Sequence, residues 1–245
     1  MDADGYFDQS VAEHYDDPSD EMFSAGVIGA TVDFLIQESH GGNALEFGIG
    51  TGRIALPLSD RGVTVAGIDL SQAMLDQLAS KPGAESIEVT RGDFAVTRVA
   101  GSFSLVYLVF NTIMNLTTQM EQVACFRNAA AHLEPGGRFV VEVMVPDLQR
   151  LPPGQTGVVF RSDESGWGID EYDVINQGLT SHHLDIEGDE VTYASVPFRY
   201  VWPAELDLMA ELAGMRLVHR FGGWDRKPFE ADSRQHISVW EKSVG

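Results

Sequence analysis

The sequence predicts an α/β fold in which a mainly parallel sheet lies between helices. Helical and strand-like segments alternate along the first 145 residues, and this alternation favours parallel strands joined by helices. The stretch 103–110 is almost wholly apolar, as expected for a strand that is buried on both faces of a sheet. Hydrophobic residues make up 44% of the 245-residue chain, which suits one domain with a sizeable core.

The predicted elements follow in a regular order. Helices are identified by apolar residues at helical spacing, and Ser71 is a predicted helix cap. The turn Glu134-Pro135-Gly136-Gly137 carries helix-ending chemistry before the fifth strand. The expected helices are 27–37, 51–61, the one capped by Ser71, 119–133 and 203–213, and the expected strands are 43–47, 63–68, 87–90, 103–110, 138–145, 215–221 and 236–240.

Between residues 146 and 202 the alternation of helices and strands stops. The segment contains Pro152-Pro153, several glycines and the alternating stretch 192–200, which indicates an insertion of antiparallel strands. Glu187-Gly188-Asp189-Glu190 is a predicted hairpin turn within it. We therefore divide the chain into four parts of one domain. They are an N-terminal helical cap (1–42), a cofactor-binding core (43–145), a substrate-side β insertion (146–202) and a final helix with a β hairpin (203–245).

The chain is strongly acidic, with 16 Lys and Arg against 37 Asp and Glu and a net charge of −21. Such a surface repels nucleic acid and anionic membranes and favours a small-molecule partner, or it serves only to keep the protein dispersed. The apolar runs are too short to span a bilayer, and no signal-peptide pattern is recognised. With one cysteine, Cys125, no intrachain disulfide can form. We expect a cytoplasmic monomer or homodimer.

A glycine-rich turn, Gly48-Ile49-Gly50-Thr51-Gly52, joins the first strand to the following helix. Glycines allow a sharp turn and close approach of a ligand to the backbone, and a helix N-terminus favours an anionic group. Asp69 ends the next strand, 19 residues after Gly50. Neighbouring strand ends in a doubly wound sheet bring such an acid beside the turn, where it can accept the hydroxyls of a ribose. The two features predict a ligand that contains a nucleoside.

The spacing argues against the common phosphate-binding patterns. A dinucleotide turn reads G-x-G-x-x-G, whereas here the third glycine comes one residue early and Arg53 stands where glycine is expected. No Gly-Lys-Ser/Thr follows, so the P-loop pattern is absent as well. An NAD(P)-dependent oxidoreductase is therefore the less favoured alternative.

Four motifs in order resemble those of class I S-adenosylmethionine-dependent methyltransferases. They are Leu45-Glu46-Phe47-Gly48-Ile49-Gly50-Thr51-Gly52, Gly67-Ile68-Asp69-Leu70-Ser71, Gly92-Asp93-Phe94 and Leu133-Glu134-Pro135-Gly136-Gly137. The resemblance covers residues 43–145, and the last two strands fit the reversed final hairpin of that fold. It implies a Rossmann-like, doubly wound, seven-stranded sheet with the last strand antiparallel. It also implies S-adenosylmethionine as cofactor and a small molecule as methyl acceptor.

The resemblance also implies the cofactor contacts. The three glycines line the methionine moiety, Asp69 holds the ribose, Asp93 accepts from the adenine amino group beside the Phe94 amide, and Met74 packs on adenine. Tyr15 is expected to close over the cofactor, and Glu46 to lie near its amino end. The full predicted set is Tyr15, Glu46, Gly48, Gly50, Thr51, Gly52, Asp69, Leu70, Met74, Asp93, Phe94 and Phe110.

Methyl transfer is an in-line displacement that needs mainly alignment of donor and acceptor. No metal-ligand spacing is seen among the seven histidines and the single cysteine, so no metal is expected. The acceptor is an amine or a hydroxyl, and the second needs a general base more. A cofactor-binding protein without transfer activity remains the alternative from a different functional class.

The insertion is expected to supply much of the acceptor pocket, because it follows a strand whose end faces the cofactor crevice. His182 and His183 are the candidate general bases, and their strand sends them to opposite faces, so at most one enters a pocket. Asp170 and Glu171 attract a cationic amine or form a solvated loop, and Tyr200 forms an aromatic wall or packs the insertion on the core.

Two further candidates for the acceptor site lie outside the insertion. Asn111 should rim the crevice, and Trp224 either touches the substrate or closes the surface. Nucleic-acid N-methyltransferases carry Asp/Asn-Pro-Pro-Tyr/Phe where this chain reads Phe110-Asn111-Thr112-Ile113. The missing prolines and aromatic argue against methylation of a base.

Overall fold

A seven-stranded sheet forms the centre of the computed structural model, which describes residues 6–16 and 24–244. Its strands are β1 (Ala44–Phe47), β2 (Val65–Asp69), β3 (Glu88–Arg91), β4 (Phe103–Leu108), β5 (Leu133–Met144), β10 (Met215–Phe221) and β11 (Gln235–Lys242). In the described ranges six α-helices accompany them: α1 (Gln9–His14), α2 (Ala25–Glu38), α3 (Ala55–Asp60), α4 (Gln72–Ala79), α5 (Gln119–His132) and α6 (Pro203–Leu212).

The strand order is β10-β11-β5-β4-β1-β2-β3, and β11 runs antiparallel to both of its neighbours. The predicted Rossmann-like sheet with a reversed last strand is thereby confirmed. The order changes direction between β1 and β4, which pair directly in parallel. In doubly wound sheets, ligands bind in the crevice outside the strand ends at such a point.

The region between β5 and α6 folds into a second sheet of four antiparallel strands, as predicted. They are β6 (Gly157–Asp163), β7 (Gly166–Asp173), β8 (Gly178–Glu187) and β9 (Glu190–Arg199), in that spatial order. The hairpin between β8 and β9 turns at 188–189, where the sequence places it. One end of this insertion sheet carries Tyr172, Leu179 and Phe198 and packs on the main body. There Tyr172 and Leu179 join the hydrophobic core.

Apolar side chains fill both faces of the central sheet. One core lies under α5, α6 and the base of the insertion sheet, with Phe126, Phe139 and Trp240 in edge contact. The other lies under α2 and α3 and contains Leu35 and Tyr107. Strands buried on both faces explain the continuous apolar run of β4, all of whose residues are buried.

Several element bounds differ from the sequence-based expectation, among them the start of β5, which lies at Leu133 and not at 138, and bounds of α3, β4 and α5. Helix α3 begins only at Ala55, because the three glycines before it have positive φ and prolong the turn. Strand β4 ends at Leu108, since Phe110 and Asn111 adopt left-handed φ angles of 56° and 59°. Helix α5 ends at His132, because Leu133 is already extended and opens β5.

The predicted N-terminal cap contributes α1 and α2, while its residues 1–5 and 17–23 lie outside the described residues. Within the described ranges, none of the helices combines the length and apolar content that crossing a bilayer requires.

Candidate cofactor and acceptor site

The glycine-rich turn and the end of β2 meet at the strand-order switch. The Gly50 amide donates to Asp69 Oδ2 at 2.7 Å, and the Ser71 amide donates to Asp69 Oδ1 at 2.9 Å. Parallel pairing of β1 with β2 brings these groups together although 19 residues separate them. The carboxylate is therefore held by two backbone amides at the mouth of the crevice, where the resemblance places a ribose.

Two glycines of the turn are required by close packing. A β-carbon on Gly52 would lie 2.3 Å from Leu78 Cδ1, and one on Gly48 would lie 2.7 Å from Thr112 Cγ2. Both residues also have left-handed φ angles, 77° and 69°, which L-residues with side chains adopt at a cost. The turn thus presents bare backbone to the crevice.

The loop after β3 forms the next wall. The Gly92 amide donates to the Asp69 carbonyl at 2.8 Å, and the Ala95 amide donates to Asp93 Oδ1 at 2.8 Å. The Phe94 ring is buried and stacks on Phe47 in the core. Only the backbone of Phe94 is then left for a ligand contact, which is the contact the sequence analysis assigns to it.

Leu70 and Met74 occupy different environments beside Asp69. Leu70 is half exposed at the end of β2, whereas Met74 is buried. A β-carbon at Gly50 would lie 3.3 Å from Met74 Cε, and Met74 clusters with Ala12 of α1. Met74 therefore supports the glycine turn and the N-terminal helix, and its predicted contact with adenine stays a prediction.

The N-terminal segment folds over the same turn. The Ser71 hydroxyl donates to the Phe7 carbonyl at 2.6 Å, and the Thr51 hydroxyl donates to Asp16 Oδ1 at 2.7 Å. Lys81 also contacts Asp16, at 2.5 Å. These bonds hold the segment that carries Tyr15 close to the crevice, as expected of a residue that covers a bound cofactor.

Arg53 is a component of the site that the sequence analysis used only to exclude dinucleotides. Its guanidinium lies 4.9 Å from the Tyr15 ring centroid and 4.6 Å from that of Phe110, which is cation–π distance on both sides. A guanidinium held next to a glycine turn suits a carboxylate partner. In the sequence, its position directly after Gly52 is the feature that could have identified Arg53 as part of the site.

Glu46 lies on β1 beneath Arg53 and is 3% exposed. Burial raises the pKa of its carboxyl to about 8, an effect that the Tyr107 hydroxyl and the Arg53 charge only partly offset. The Tyr107 hydroxyl donates to Glu46 Oε2 at 2.9 Å. A carboxyl with this pKa is mainly protonated at neutral pH, and a nearby cation favours its carboxylate form.

The insertion sheet has an inner face, defined here by Tyr172, Asp170, Ser181, His183 and Asp185, which share one side by strand register. At one end the Asp147 amide donates to the Tyr172 hydroxyl at 3.4 Å. At the other end Asp185 lies near Tyr6 of the N-terminal segment, where burial and then this carboxylate raise the pKa of the phenol. The inner face therefore spans from the end of β5 to the N-terminal segment, over the crevice.

The middle of the inner face holds a polar group of three residues. The Ser181 hydroxyl lies 3.0 Å from His183 Nε2, and it also bonds the Asp170 carboxyl. Burial lowers the pKa of His183 and raises that of Asp170. A neutral imidazole on a half-buried face is suited to accept a proton.

His182 and Glu171 lie on the opposite, outer face. His182 Nδ1 bonds the hydroxyls of Tyr193 and Ser195 at 2.9 and 2.8 Å, and Nε2 lies 3.4 Å from Glu171 Oε2. Strand alternation thus separates the two histidines, and it turns both His182 and Glu171 away from the crevice. The expectation that these two residues contact an acceptor there is corrected accordingly.

Tyr200 belongs to the core. It is 1% exposed and packs edge-on against Tyr172, with ring centroids 5.7 Å apart. An acceptor cannot reach a side chain that is covered to this degree. Of the two interpretations, aromatic wall or packing, the structure supports packing.

The end of β4 borders a cavity of about 530 Å³ that reaches to α2 and the β10–β11 loop. Asn111 lines it, and the Asn111 Oδ1 accepts from the Met144 amide at 2.6 Å. Trp224 lines it and is 8% exposed. Glu142 of β5 also lines it and accepts from the Phe110 amide at 3.0 Å. The sequence analysis did not identify Glu142, which lies within a strand and in no motif.

Within the described residues, no group of three or more His, Cys, Asp or Glu side chains is arranged to hold a metal ion. The single cysteine, Cys125, is buried in α5, and burial raises the pKa of its thiol.

Comparison with known proteins gives a consistent result. A family model described as "Methyltransferase domain" matches residues 44–137. The cypemycin N-terminal methyltransferase of a Streptomyces species is 28% identical over 253 aligned residues, covering 96% of this chain and 97% of that protein.

Solved structures extend the comparison to the whole chain. The CcbJ methyltransferase of Streptomyces caelestis is 35% identical, with full coverage of both chains and a TM-score of 0.88. CalS10 from Micromonospora echinaspora, an amino pentose methyltransferase, shares the fold at 20% identity and a TM-score of 0.68, over 90% of this chain and 93% of its own.

Proposed function

This chain belongs to the class I S-adenosylmethionine-dependent methyltransferases, and on that premise we propose that it methylates an amine of a small molecule. The observation that carries the assignment of the donor site is the pairing of the glycine turn with Asp69 through the Gly50 amide at 2.7 Å. The N-terminal segment and the loop after β3 contact the same region, through Thr51–Asp16, Ser71–Phe7 and the Gly92 amide bonded to the Asp69 carbonyl.

The residues present fit the methyl donor. Asp69 has the acceptor oxygens for two ribose hydroxyls, the bare glycine turn admits the methionine part, and Asp93 lies where the adenine amino group is expected. The Arg53 guanidinium is placed to bind the carboxylate of the methionine part, and Glu46 to bind its ammonium. When bound, the sulfonium supplies an activated methyl group, so the protein is left to align the acceptor and take up a proton.

An amine is favoured over a hydroxyl for two reasons. The net charge of −21 attracts cationic molecules. In addition, two of the similar proteins are named for a protein N-terminus and for an amino pentose as acceptor. A hydroxyl remains the second candidate, because His183 on the inner face provides the base that an alcohol requires.

We assign proton uptake to His183, with Ser181 and Asp170 as positioning residues. The Ser181 hydroxyl 3.0 Å from Nε2 orients the imidazole, and burial keeps it neutral by lowering its pKa. An attacking amine must be neutral, and a neutral imidazole takes its proton as the nitrogen–carbon bond forms.

We further propose that the enzyme works in the cytoplasm as a monomer or homodimer, without nucleic acid or membrane partners. The acidic composition and the absence of a possible intrachain disulfide in a one-cysteine chain support this proposal.

Calorimetry tests the donor site first. Binding of S-adenosylmethionine and S-adenosylhomocysteine, with no binding of NAD, is the expected result, and NAD binding alone would refute the assignment. Incubation with methyl-labelled donor and a metabolite panel of matched amines and alcohols then tests the acceptor class. Label in amines supports the proposal, label only in alcohols replaces it with O-methylation, and donor binding without any transfer favours a non-catalytic binding protein.

A further inference from the structure

The cavity of about 530 Å³ beside Asn111 adjoins the donor site described above through Phe110. Its walls come from the first turns of α2, the ends of β4 and β5, and the loop between β10 and β11. Val27, Ala30 and the rings of Phe110 and Trp224 make these walls mainly apolar. A volume of this size is within the range of small-molecule sites, which combine apolar walls with a few polar groups.

One carboxylate faces this apolar space. Glu142 is 7% exposed and accepts one hydrogen bond, from the Phe110 amide. Among the ion pairs of the described residues, Glu142 takes part in none, and the nearby Lys227 pairs with Asp225 at 2.7 Å. A carboxylate that is buried without a cation is costly, so a cationic ligand would stabilise it.

The indole of Trp224 adds a second polar group at the same wall. Its Nε1 is buried beside the Glu142 carboxyl but meets no acceptor at full hydrogen-bond geometry. Burial raises the pKa of that carboxyl, and the Phe110 amide and the Trp224 indole offset this only in part. Buried donors are nearly always bonded in proteins, so an indole N–H without a well-formed bond can still donate to a polar group of a ligand. A polar group of a ligand at Glu142 would lie within reach of both side chains.

The cavity communicates with the reaction centre. Phe110 and Asn111 line it and end the strand at the switch point, and the other side of the Phe110 ring contacts Arg53 of the donor site. Both residues hold left-handed φ angles, a strain of the kind that collects at functional sites. A molecule seated in the cavity would therefore contact the Phe110 ring that also borders Arg53 of the donor site.

We propose that this cavity is a recognition subsite for the methyl acceptor and that Glu142 binds a positively charged ammonium group of the acceptor there. The proposal rests on the proposed function and deepens it. It specifies an acceptor with an apolar body and a cationic group, and it makes Glu142 a specificity-determining residue.

The test uses the indole N–H signals of the 15N-labelled full chain. The chain has four tryptophans, and a Trp224→Phe variant identifies the Trp224 signal. Calorimetry first establishes S-adenosylhomocysteine binding, and the saturated protein is then titrated with 2-phenylethylamine and with its neutral isostere 2-phenylethanol. We expect the amine to shift the Trp224 signal at concentrations at least tenfold lower than the alcohol. Glu142→Gln should remove that difference.

The cavity wall offers a matched pair of steric variants. Gly26 and Gly29 lie on α2, are exposed, and have nothing within 4 Å of an added β-carbon, but only Gly26 lines the cavity. Gly26→Phe should abolish the amine response, and Gly29→Phe should leave it unchanged. Neither replacement strains the helix, because glycine is the weaker helix former.

Three outcomes overturn the proposal: equal responses to amine and alcohol, equal behaviour of the two glycine variants, or no Trp224 response at all. Loss of S-adenosylhomocysteine affinity in Gly26→Phe or Glu142→Gln also overturns it, because the donor itself would then occupy the cavity. If the wild-type chain binds no S-adenosylhomocysteine, the proposed function fails. Titration of the ligand-free protein with 2-phenylethylamine and 2-phenylethanol still tests whether the cavity binds an ammonium group.

Discussion

The proposed donor half and the proposed acceptor half of the site are built in different ways. The donor half uses backbone groups and short loops at the ends of adjacent strands, such as the Gly50 amide bonded to Asp69. The acceptor half uses side chains from segments far apart in the chain, with His183 on the insertion sheet and Trp224 in the final loop. Sequence motifs predict the donor half because its geometry follows from strand–turn–helix connections. The acceptor half depends instead on how distant segments pack.

The largest predicted effect concerns the acceptor half and distinguishes its two adjacent histidines. His183→Asn should lower kcat/KM on the order of a hundredfold, as removal of a general base does, while His182→Asn on the outer face should change it less than about threefold. Because burial lowers the pKa of His183, activity should persist below the pH at which an ordinary histidine protonates.

The pH profile distinguishes this proton uptake from a structural role. The acid limb of kcat/KM should disappear in His183→Asn and remain in His182→Asn. Equal losses in both variants, or an acid limb that neither variant alters, would contradict the assignment of His183.

A second prediction concerns the donor half. Asp69→Ala should weaken S-adenosylmethionine binding by on the order of 1–3 kcal/mol, the usual cost of leaving buried polar groups unpaired. The carboxylate of Asp76, on the same helix that Ser71 caps, bonds the exposed Gln72 amide and provides the control. Calorimetry that gives both variants the same affinity would show that the end of β2 does not hold the ribose.

The third prediction tests proton linkage at Glu46. With a pKa of about 8, the carboxyl is mainly protonated at pH 7, and an arriving ammonium should displace close to one proton. Calorimetry in buffers of different ionisation enthalpy measures this release, which should vanish above pH 9 and in Glu46→Gln. Proton release that is unchanged in the variant would show that Glu46 does not meet the donor.

The raised pKa of Glu46 also affects the stability of the fold. The folded carboxyl has a pKa of about 8 against a value of 4.5 for the unperturbed group, so the folded state holds the proton more tightly. Between these two pH values the free energy of unfolding should fall as pH rises, and Glu46→Gln should reduce that slope in denaturant titrations.

The smallest expected effect concerns Tyr200. Because this side chain packs in the core and does not face the crevice, Tyr200→Phe should leave the KM for the acceptor within about twofold. Its volume is nearly conserved, so stability should change by less than about 1.5 kcal/mol. A large rise in KM would restore Tyr200 to the acceptor wall.

By itself, the sequence determined the order of strands and helices in the core, the location of the insertion and the donor motifs. These features follow from the local periodicity of apolar residues and from closely spaced glycines, such as Gly48, Gly50 and Gly52, that adopt positive φ angles. Even the proximity of Gly50 and Asp69 could be predicted, because parallel neighbouring strands end at the same edge of a sheet.

Only the tertiary structure decided the acceptor side. It determined which histidine faces the crevice, since the alternation of a strand separates two neighbours but does not say which face is covered. It also placed Tyr200 in the core, positioned Arg53 between Tyr15 and Phe110, and brought Glu142 together with Trp224 at one cavity. The physical reason is that these contacts join residues distant in sequence, whose meeting depends on the packing of whole elements and leaves no periodic or motif signal in the chain.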